Sequence, residues 1–578
     1  AGEAFEADPW NRIHWSSGQP GLWTGIVSKN WHDPLNWDDG MVPDEETDVY
    51  IPAFVPNYPE VKLNAVSANL LLEGELAISS DVMLTVNGTI DIHGHLLIAG
   101  MESGLTVYGV INWHENSTAD VEGHFKIYGH WNFLTGSNAF LTGGYVNFYG
   151  APFSAITCNS DNAAFNNICI YTLPDFSTEV VNSNSNLVIN GSLSIMNEAE
   201  FYCFADITTI IRGSINFFEG GVYQFTAGSV IFESSQGSHF VKGCEDCRFE
   251  NLIINSNGIF TLFNEIIISQ DLTINAGYFT PRSESVIYLG GNLENNSSFS
   301  DFTQFSNRFV FNGFWSNQFI HGDVHFDILE INKPEYGLHL SSLTSEVSCN
   351  LFDYRQGFVV AYDGAEFTIE SFAGNHGIVG EFVVNDDGTI NFYNPGKSVD
   401  INAELRFNGN GQMNVFGGTA NSVWGNHSDV IFYMDNGVLD FKDVGIHIPD
   451  NAYSLWSNIT GGTIRTTGAL ISEKSSFNPD SGEIEFYGEG YVHLKTSNGS
   501  ALHNLKVNKP DSGPNPSSVT CNESAKIKNS ILIEQGLFDV TYGTIECNQI
   551  ELSNGGRFSV ISGTIKFENN GGLLVGPG

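Results

Sequence analysis

Charge is scarce in this chain, and positive charge is scarcest. Only 15% of its 578 residues are Asp, Glu, Lys or Arg, well under the usual quarter. Lys and Arg number 23 against 66 Asp and Glu, for a formal net charge of −43. That excludes nucleic acid as the natural partner, because phosphate binding needs a basic surface. Anionic membranes are disfavoured for the same reason. No run reaches the roughly 18–20 apolar residues needed to cross a bilayer, so no transmembrane segment is expected. Helical periodicity is missing too: apolar residues rarely recur at i, i+3, i+4 and i+7 beyond one turn, and Gly and Asn interrupt every candidate. There is no Gly-rich phosphate loop, nucleophile elbow or HExxH. The opening AGEAFEADPW has neither Met nor a basic n-region, which reads as a chain already processed. The last residues, GTIKFENNGGLLVGPG, form another strand-turn-strand unit without a polar cap, so the natural protein is expected to continue beyond Gly578.

What the chain does have is long-range self-similarity. Residues 309–335 read FVFNGFWSNQFIHGDVHFDILEINKPE, and residues 484–511 read IEFYGEGYVHLKTSNGSALHNLKVNKPD. Each opens with an alternating strand ending in an aromatic and a Gly, and closes on Asn-Lys-Pro (Asn332-Lys333-Pro334; Asn508-Lys509-Pro510). Between them, period-2 alternation persists from about residue 61 to the end, as in LTVNGTIDIHGHLLIAG (84–100) and GTIKFENNGG (563–572). The recurring unit is Gly-x-apolar-x-Phe followed by a turn. Such units bury their apolar faces only against their neighbours. The expected fold is all-β: a long parallel β-helix, right-handed, with about 21–26 rungs of roughly 20–25 residues. Residues 1–60 differ. They hold Trp10, Trp15, Trp23, Trp31 and Trp37, half of the ten Trp, together with several Pro. The reading is a Trp/Pro-rich N-terminal cap over the first rung (1–60), followed by β-helix repeats (61–578).

The segment Leu22-Trp23-Thr24-Gly25, then Asn30-Trp31-His32-Asp33-Pro34-Leu35-Asn36-Trp37, Gly40, Pro43, Asp48-Val49-Tyr50-Ile51-Pro52 and Tyr58-Pro59 resembles the opening of large secreted surface proteins of Bacteroidota. The Asn-Lys-Pro repeats at 307–334 and 482–510 resemble the β-helix repeats that follow it there, and the resemblance covers nearly the whole chain. It implies export by the type IX secretion system and a role as adhesin, surface-layer or gliding component, or stalk. A C-terminal sorting domain of the kind such cargo carries is not visible. The repeat motifs are structural, so the resemblance implies no catalytic residue.

Four constellations are candidates for chemistry. The acidic run holding Asp38, Asp39, Asp44 and Asp48 could supply the oxygens of a Ca²⁺ site, although it lacks EF-hand spacing; a solvated acidic loop is the competing reading. Eight cysteines in an apparently secreted chain allow disulfides. The local pairs are Cys158 with Cys169, Cys244 with Cys247, and Cys521 with Cys547; small buried core thiols are the alternative. His93 and His95 would share one strand face as metal ligands, against plain turn or surface histidines. Trp113, Trp131, Trp315, Trp424 and Trp456 would stack on sugar rings where they point outward, or else pack in the core. A carbohydrate-active β-helix enzyme would need paired carboxylates or a base beside a cation on one face. Asp440, Asp443, Glu483 and Glu485 are candidate acids at outward positions, where solubility explains them equally well. The function expected is that of a non-enzymatic extracellular or cell-surface solenoid acting as adhesin, scaffold or stalk. Its partners would be cell-surface or secretion-machinery proteins, or polysaccharide. The alternative is a polysaccharide lyase or glycoside hydrolase.

Overall fold

Alternation with Gly and Asn at the turns does what the pattern predicts: strands occupy about 60% of the chain and helix about 1%, wound into a parallel β-solenoid of about 22 turns. The computed structural model describes residues 18–576, apart from 150–152, 173–178, 183–185, 197, 204–206, 219–221, 226–227, 235–236, 243–246, 264, 283, 300, 304–305, 342–345, 375–376, 394–398, 418–421, 427, 511–515 and 554. The strands pair in parallel with strands about 17 to 27 residues away in sequence. Ile90–Ile92, for example, lies between Leu70–Leu72 and Val110–Trp113. Two compact units result: residues 1–287 with 297–299, and 288–296 with 300–578.

In the first unit, Trp23, Trp31 and Trp37 are buried. Trp37 meets each of the other two edge to face, with centroids 4.9 Å apart. Two of the three indole N–H groups are satisfied: Trp23 Nε1 donates to the carbonyl of Asn57 (2.7 Å) and Trp37 Nε1 to that of Trp31 (2.7 Å), while Trp31 Nε1 is buried without an acceptor. Trp10 and Trp15 lie outside the described residues. Parallel pairing is already present inside the segment read as a cap: Leu22 bridges Tyr50, Asn30 bridges Glu60, and Val49–Ile51 pairs with Leu70–Leu72. Further along, Trp113, Phe125, Trp131, Phe133 and Phe165 fill the coil interior, Trp131 lying 5.0–5.8 Å from the other four rings. Close stacking at the corners demands glycine. A Cβ on Gly129 would sit 1.8 Å from the carbonyl oxygen of Gly109 on the preceding coil.

Outward positions of this unit also stack from coil to coil. Asn132 Nδ2 donates to Asn112 Oδ1 (2.8 Å), and Asn112 Nδ2 to Asp91 Oδ1 (2.9 Å). Tyr108, Tyr128, Tyr149 and Tyr171 form a ring stack with spacings of 4.6, 5.5 and 4.9 Å. Those rings lie face to face, so they present mainly edges to solvent.

The second unit repeats the plan. Phe352, Phe367, Phe382 and Phe392 lie inside, and Trp424 packs against Phe432, Phe441 and Phe477 at 5.6–6.1 Å. Each buried aromatic or large aliphatic side chain contributes about 1.5–3 kcal/mol of transfer free energy, and the coil interior is built mainly of Ile, Leu, Val and Phe.

Candidate binding faces

Five strands of the second unit, Thr389–Tyr393, Gln412–Phe416, Val438–Lys442, Thr463–Thr466 and Glu483–Tyr487, pair in order and continue to Asn504–Asn508. In each, the residues flanking the centre point inward, as Ile390 and Phe392 do. The central residue therefore points out, and register stacks these residues as Asn391, Asn414, Asp440, Arg465, Glu485 and Lys506. Asn414 Nδ2 donates to Asn391 Oδ1 (2.7 Å). Arg465 bridges Asp440 (Nη1 to Oδ2, 3.3 Å) and Glu485 (Nε to Oε2, 2.8 Å). Lys506 then stands between Glu485 (3.6 Å) and Glu534 (3.2 Å). Tyr487 Oη donates to Asp440 Oδ1 (2.7 Å), and its ring lies 4.3 Å beneath the Arg465 guanidinium. Although outward, Asn391, Asn414, Asp440 and Glu485 are buried by their neighbours above and below. Solubility therefore does not explain Asp440 and Glu485; they tie coils together. Asp443 sits in a turn with φ 67°. Burial raises the Glu483 carboxyl above its ordinary value, Lys506 opposing.

A second face is less self-contained. Strands Ile378–Asn385, Ile401–Asn408, Val430–Met434 and Leu455–Ile459 pair in that order. Glu381 and Glu404 stand in register on neighbouring coils. Arg406 ion-pairs with Glu404 and lies 3.6 Å from Glu381 Oε1. Burial raises the Glu381 carboxyl, and the like charge of Glu404 adds to it, Arg406 opposing. The Arg406 guanidinium covers one side of the Tyr433 ring at 4.3 Å, and Trp456 meets Tyr433 at 4.6 Å. Trp456 is 52% exposed. The row Glu381, Glu404, Arg406, Tyr433, Trp456 thus combines an open indole with hydrogen-bonding charges, which suits a sugar ring. It went unnoticed in the sequence because its members come from separate coils and only the rung register brings them together.

Of the five tryptophans considered as sugar platforms, Trp113, Trp131 and Trp424 are core residues. Trp456 and Trp315 point outward; Trp315 is 92% exposed.

In the acidic run each of the four aspartates accepts at least one hydrogen bond. Asp38 accepts from the Gln19 N–H (2.8 Å), Asp39 from Met41 N–H (3.1 Å), and Asp48 from Asn69 Nδ2 (2.7 Å). Asp44 accepts from Thr47 Oγ1 (2.6 Å) and Glu46 N–H (3.1 Å). The Thr47 hydroxyl, foremost, lowers the Asp44 carboxyl below its usual value. Among the described residues no three His, Cys, Asp or Glu side chains group as metal ligands.

His93 and His95 do not share a strand face. The turn at Gly94 separates them, and the strands on either side, Ile90–Ile92 and His95–Ile98, belong to different sheets. His93 stacks on His114 at 3.8 Å, while His95 Nδ1 meets Thr118 Oγ1 at 2.9 Å.

Two of the three disulfide readings are corrected. Cys158 stacks on Phe133 and its Sγ donates to the carbonyl of Ser160, whereas Cys169 lies between Asn147 and Ser194 as a buried thiol. Cys521 and Cys547 are also buried thiols. They occupy different sheets, Cys521 in register with Val540 and Cys547 with Phe567. Cys247 is disulfide-bonded; Cys244 lies outside the described residues.

Fold and faces together define the class: a parallel β-solenoid whose sides carry polar stacks and outward aromatics. Comparison with family models, curated proteins and solved structures finds no match for this chain.

Proposed function

We propose that the chain is a non-catalytic extracellular β-solenoid that serves at the cell surface as adhesin, scaffold or stalk of a larger secreted protein. One observation carries the reading. The best-formed outward row of acids and bases, Asp440, Arg465, Glu485 and Lys506, is spent on bonds between neighbouring coils. Charges used that way hold register and are not available in this row as an acid–base pair for a substrate. Outward aromatics such as Trp456 supply contact surface instead. The resemblance of the opening segment and of the Asn-Lys-Pro repeats to secreted Bacteroidota surface proteins supports export by a type IX route. Partners on this reading are cell-surface or secretion-machinery proteins, or polysaccharide. The test is incubation of the purified chain with a panel of polysaccharides, scoring retention on insoluble glycans and release of reducing or unsaturated ends. Retention without release is expected; released ends overturn the non-catalytic reading.

The second reading, a carbohydrate-active enzyme, is favoured by Glu381 and Glu404 beside Arg406, where one carboxyl is pushed toward its protonated form. If the panel releases ends, Glu381→Gln and Glu404→Gln separate the cases. Loss of release in both supports catalysis at this face, and unchanged release places the chemistry elsewhere.

A further inference from the structure

Lys333 and Lys509 hold the same place in the two Asn-Lys-Pro repeats, and both are buried. Period-2 alternation sends them inward: Leu329, Ile331 and Lys333 lie on one parity, Leu505, Val507 and Lys509 on another. A buried ammonium is unfavourable unless its protons are taken up. Lys333 Nζ donates to the carbonyls of Gly313 (2.8 Å) and Ser316 (3.1 Å) and to Gln318 Oε1 (2.7 Å). Three N–H groups meet three oxygens. Lys509 Nζ donates to the carbonyls of Tyr487 (3.2 Å) and Glu489 (3.4 Å). Each lysine therefore anchors, from inside the coil, a loop that lies earlier in its own repeat.

The first loop is fixed by two more bonds. The Gly313 N–H donates to Gln318 Oε1 (3.0 Å), and the Gly337 N–H to Asn317 Oδ1 (3.0 Å). Yet the tip of this anchored loop is apolar: Phe314 is 61% exposed and Trp315 92%. The second repeat acts as an internal control. Its lysine anchors Gly488-Glu489-Gly490, which carries no aromatic between the glycines. The loop thus folds without Phe and Trp, and neither ring is needed to hold it. A rigid loop that displays a bare indole loses little conformational freedom when a ligand arrives.

The surroundings indicate which ligand. The Asn317 bond to Gly337 places the loop beside the next coil's corner, where Glu335 is exposed and Tyr336 half-buried. Gln356 on the following coil bonds Asn332 (Nε2 to Oδ1, 2.7 Å). Carboxylate, phenol and amide groups therefore lie on the two coils that follow the loop, at successive rung spacings of roughly 4.8 Å. A flat apolar face bordered by hydrogen-bonding groups matches a pyranose ring, with its C–H face and its rim of hydroxyls. The net charge of −43 disfavours anionic glycans and anionic lipid.

We propose that the Phe314–Trp315 loop, held in place by Lys333, is a contact site for an uncharged polysaccharide. The proposal rests on reading the chain as a surface binder, and it narrows that reading to a ligand class and a place.

The test uses the full chain, Trp315→Ala, and Phe314→Ala/Trp315→Ala in pull-downs on cellulose, chitin and β-1,3-glucan, with phosphatidylcholine vesicles alongside. The exposed sites leave folding intact, which circular dichroism checks. Retention of the parent chain on at least one glycan, weakened about tenfold or more by Trp315→Ala, supports the proposal. Lys333→Met, if folded, should weaken retention with Phe314 and Trp315 still present. Equal retention of parent and variants overturns the site while leaving the adhesin reading intact. Failure of the parent on every glycan overturns the proposal, as does Trp315-dependent binding to vesicles alone. The adhesin reading is judged separately, by attachment of chain-coated beads to cell monolayers. It falls as well if the parent-coated beads do not attach.

Discussion

Replacing Arg465 by Met removes the cation between two buried acids. Asp440 is only 2% exposed, and Glu485 is nearly as deep. Breaking a buried ion pair from one side typically destabilises by about 3–5 kcal/mol, because an uncompensated charge stays behind. Two features place this site at the lower end. Asp440 keeps the Tyr487 hydroxyl (2.7 Å), and Glu485 keeps Asn508 (3.1 Å) and Lys506 (3.6 Å). Arg465 itself is about one-third exposed, so water already screens part of its attraction to the two acids. The expected loss is about 3 kcal/mol. Stacked coils respond mainly at nearest neighbours, so a global melt dilutes the effect. The better assay is amide hydrogen exchange over Val438–Lys442, Thr463–Thr466 and Glu483–Tyr487, where local opening should become about a hundredfold more frequent. The triple variant Asp440→Asn/Arg465→Met/Glu485→Gln removes the charges together and should restore most of the protection. Unchanged protection in Arg465→Met would refute the argument, since it would mean that water screens these charges despite their burial.

Three further outcomes follow from the same physics. Trp131→Ala empties a site lined by four aromatic rings and should destabilise the first unit by about 3–5 kcal/mol in urea denaturation; a loss below about 1 kcal/mol contradicts close packing there. Burial holds Lys333 and Lys509 at about 8, below the ordinary 10.5. Between about pH 8 and 10.5 the unfolded chain keeps protons that the folded chain has released, so these lysines make stability rise with pH across that window; melts of Lys333→Met should show a smaller rise, and an identical pH slope would count against it. Burial also pushes the thiols of Cys521 and Cys547 up to about 12 and about 11, so native-state iodoacetamide labelling at pH 8 should leave both unmodified and peptide mapping should find no bond between them.

The coil was legible in the sequence for a plain physical reason. Gly-x-apolar-x-Phe encodes both the period-2 face and the tight corner, so the parallel solenoid of about 22 turns falls within the expected count. The faces were not legible, because they depend on register. Cys521 and Cys547 lie about one turn apart in sequence, yet their neighbours on the adjoining coil are Val540 and Phe567. His93 and His95 lie either side of the Gly94 corner, as the reading of turn histidines expects, and not on one strand face. The role of the repeated lysine was within reach: Lys333 and Lys509 share parity with inward Ile331 and Val507, and a cation at such a position in an acidic chain has to find carbonyl partners inside.

The anchoring of the two loops separates what shapes them from what they show. Lys333 and Lys509 bond to carbonyls and an amide oxygen, so the anchor does not depend on which side chains occupy the tip. Phe314-Trp315 in one copy and Glu489 in the other are alternative contents of the same fitting. The tip residues can therefore differ between copies without disturbing the lysine bonds that hold the loop.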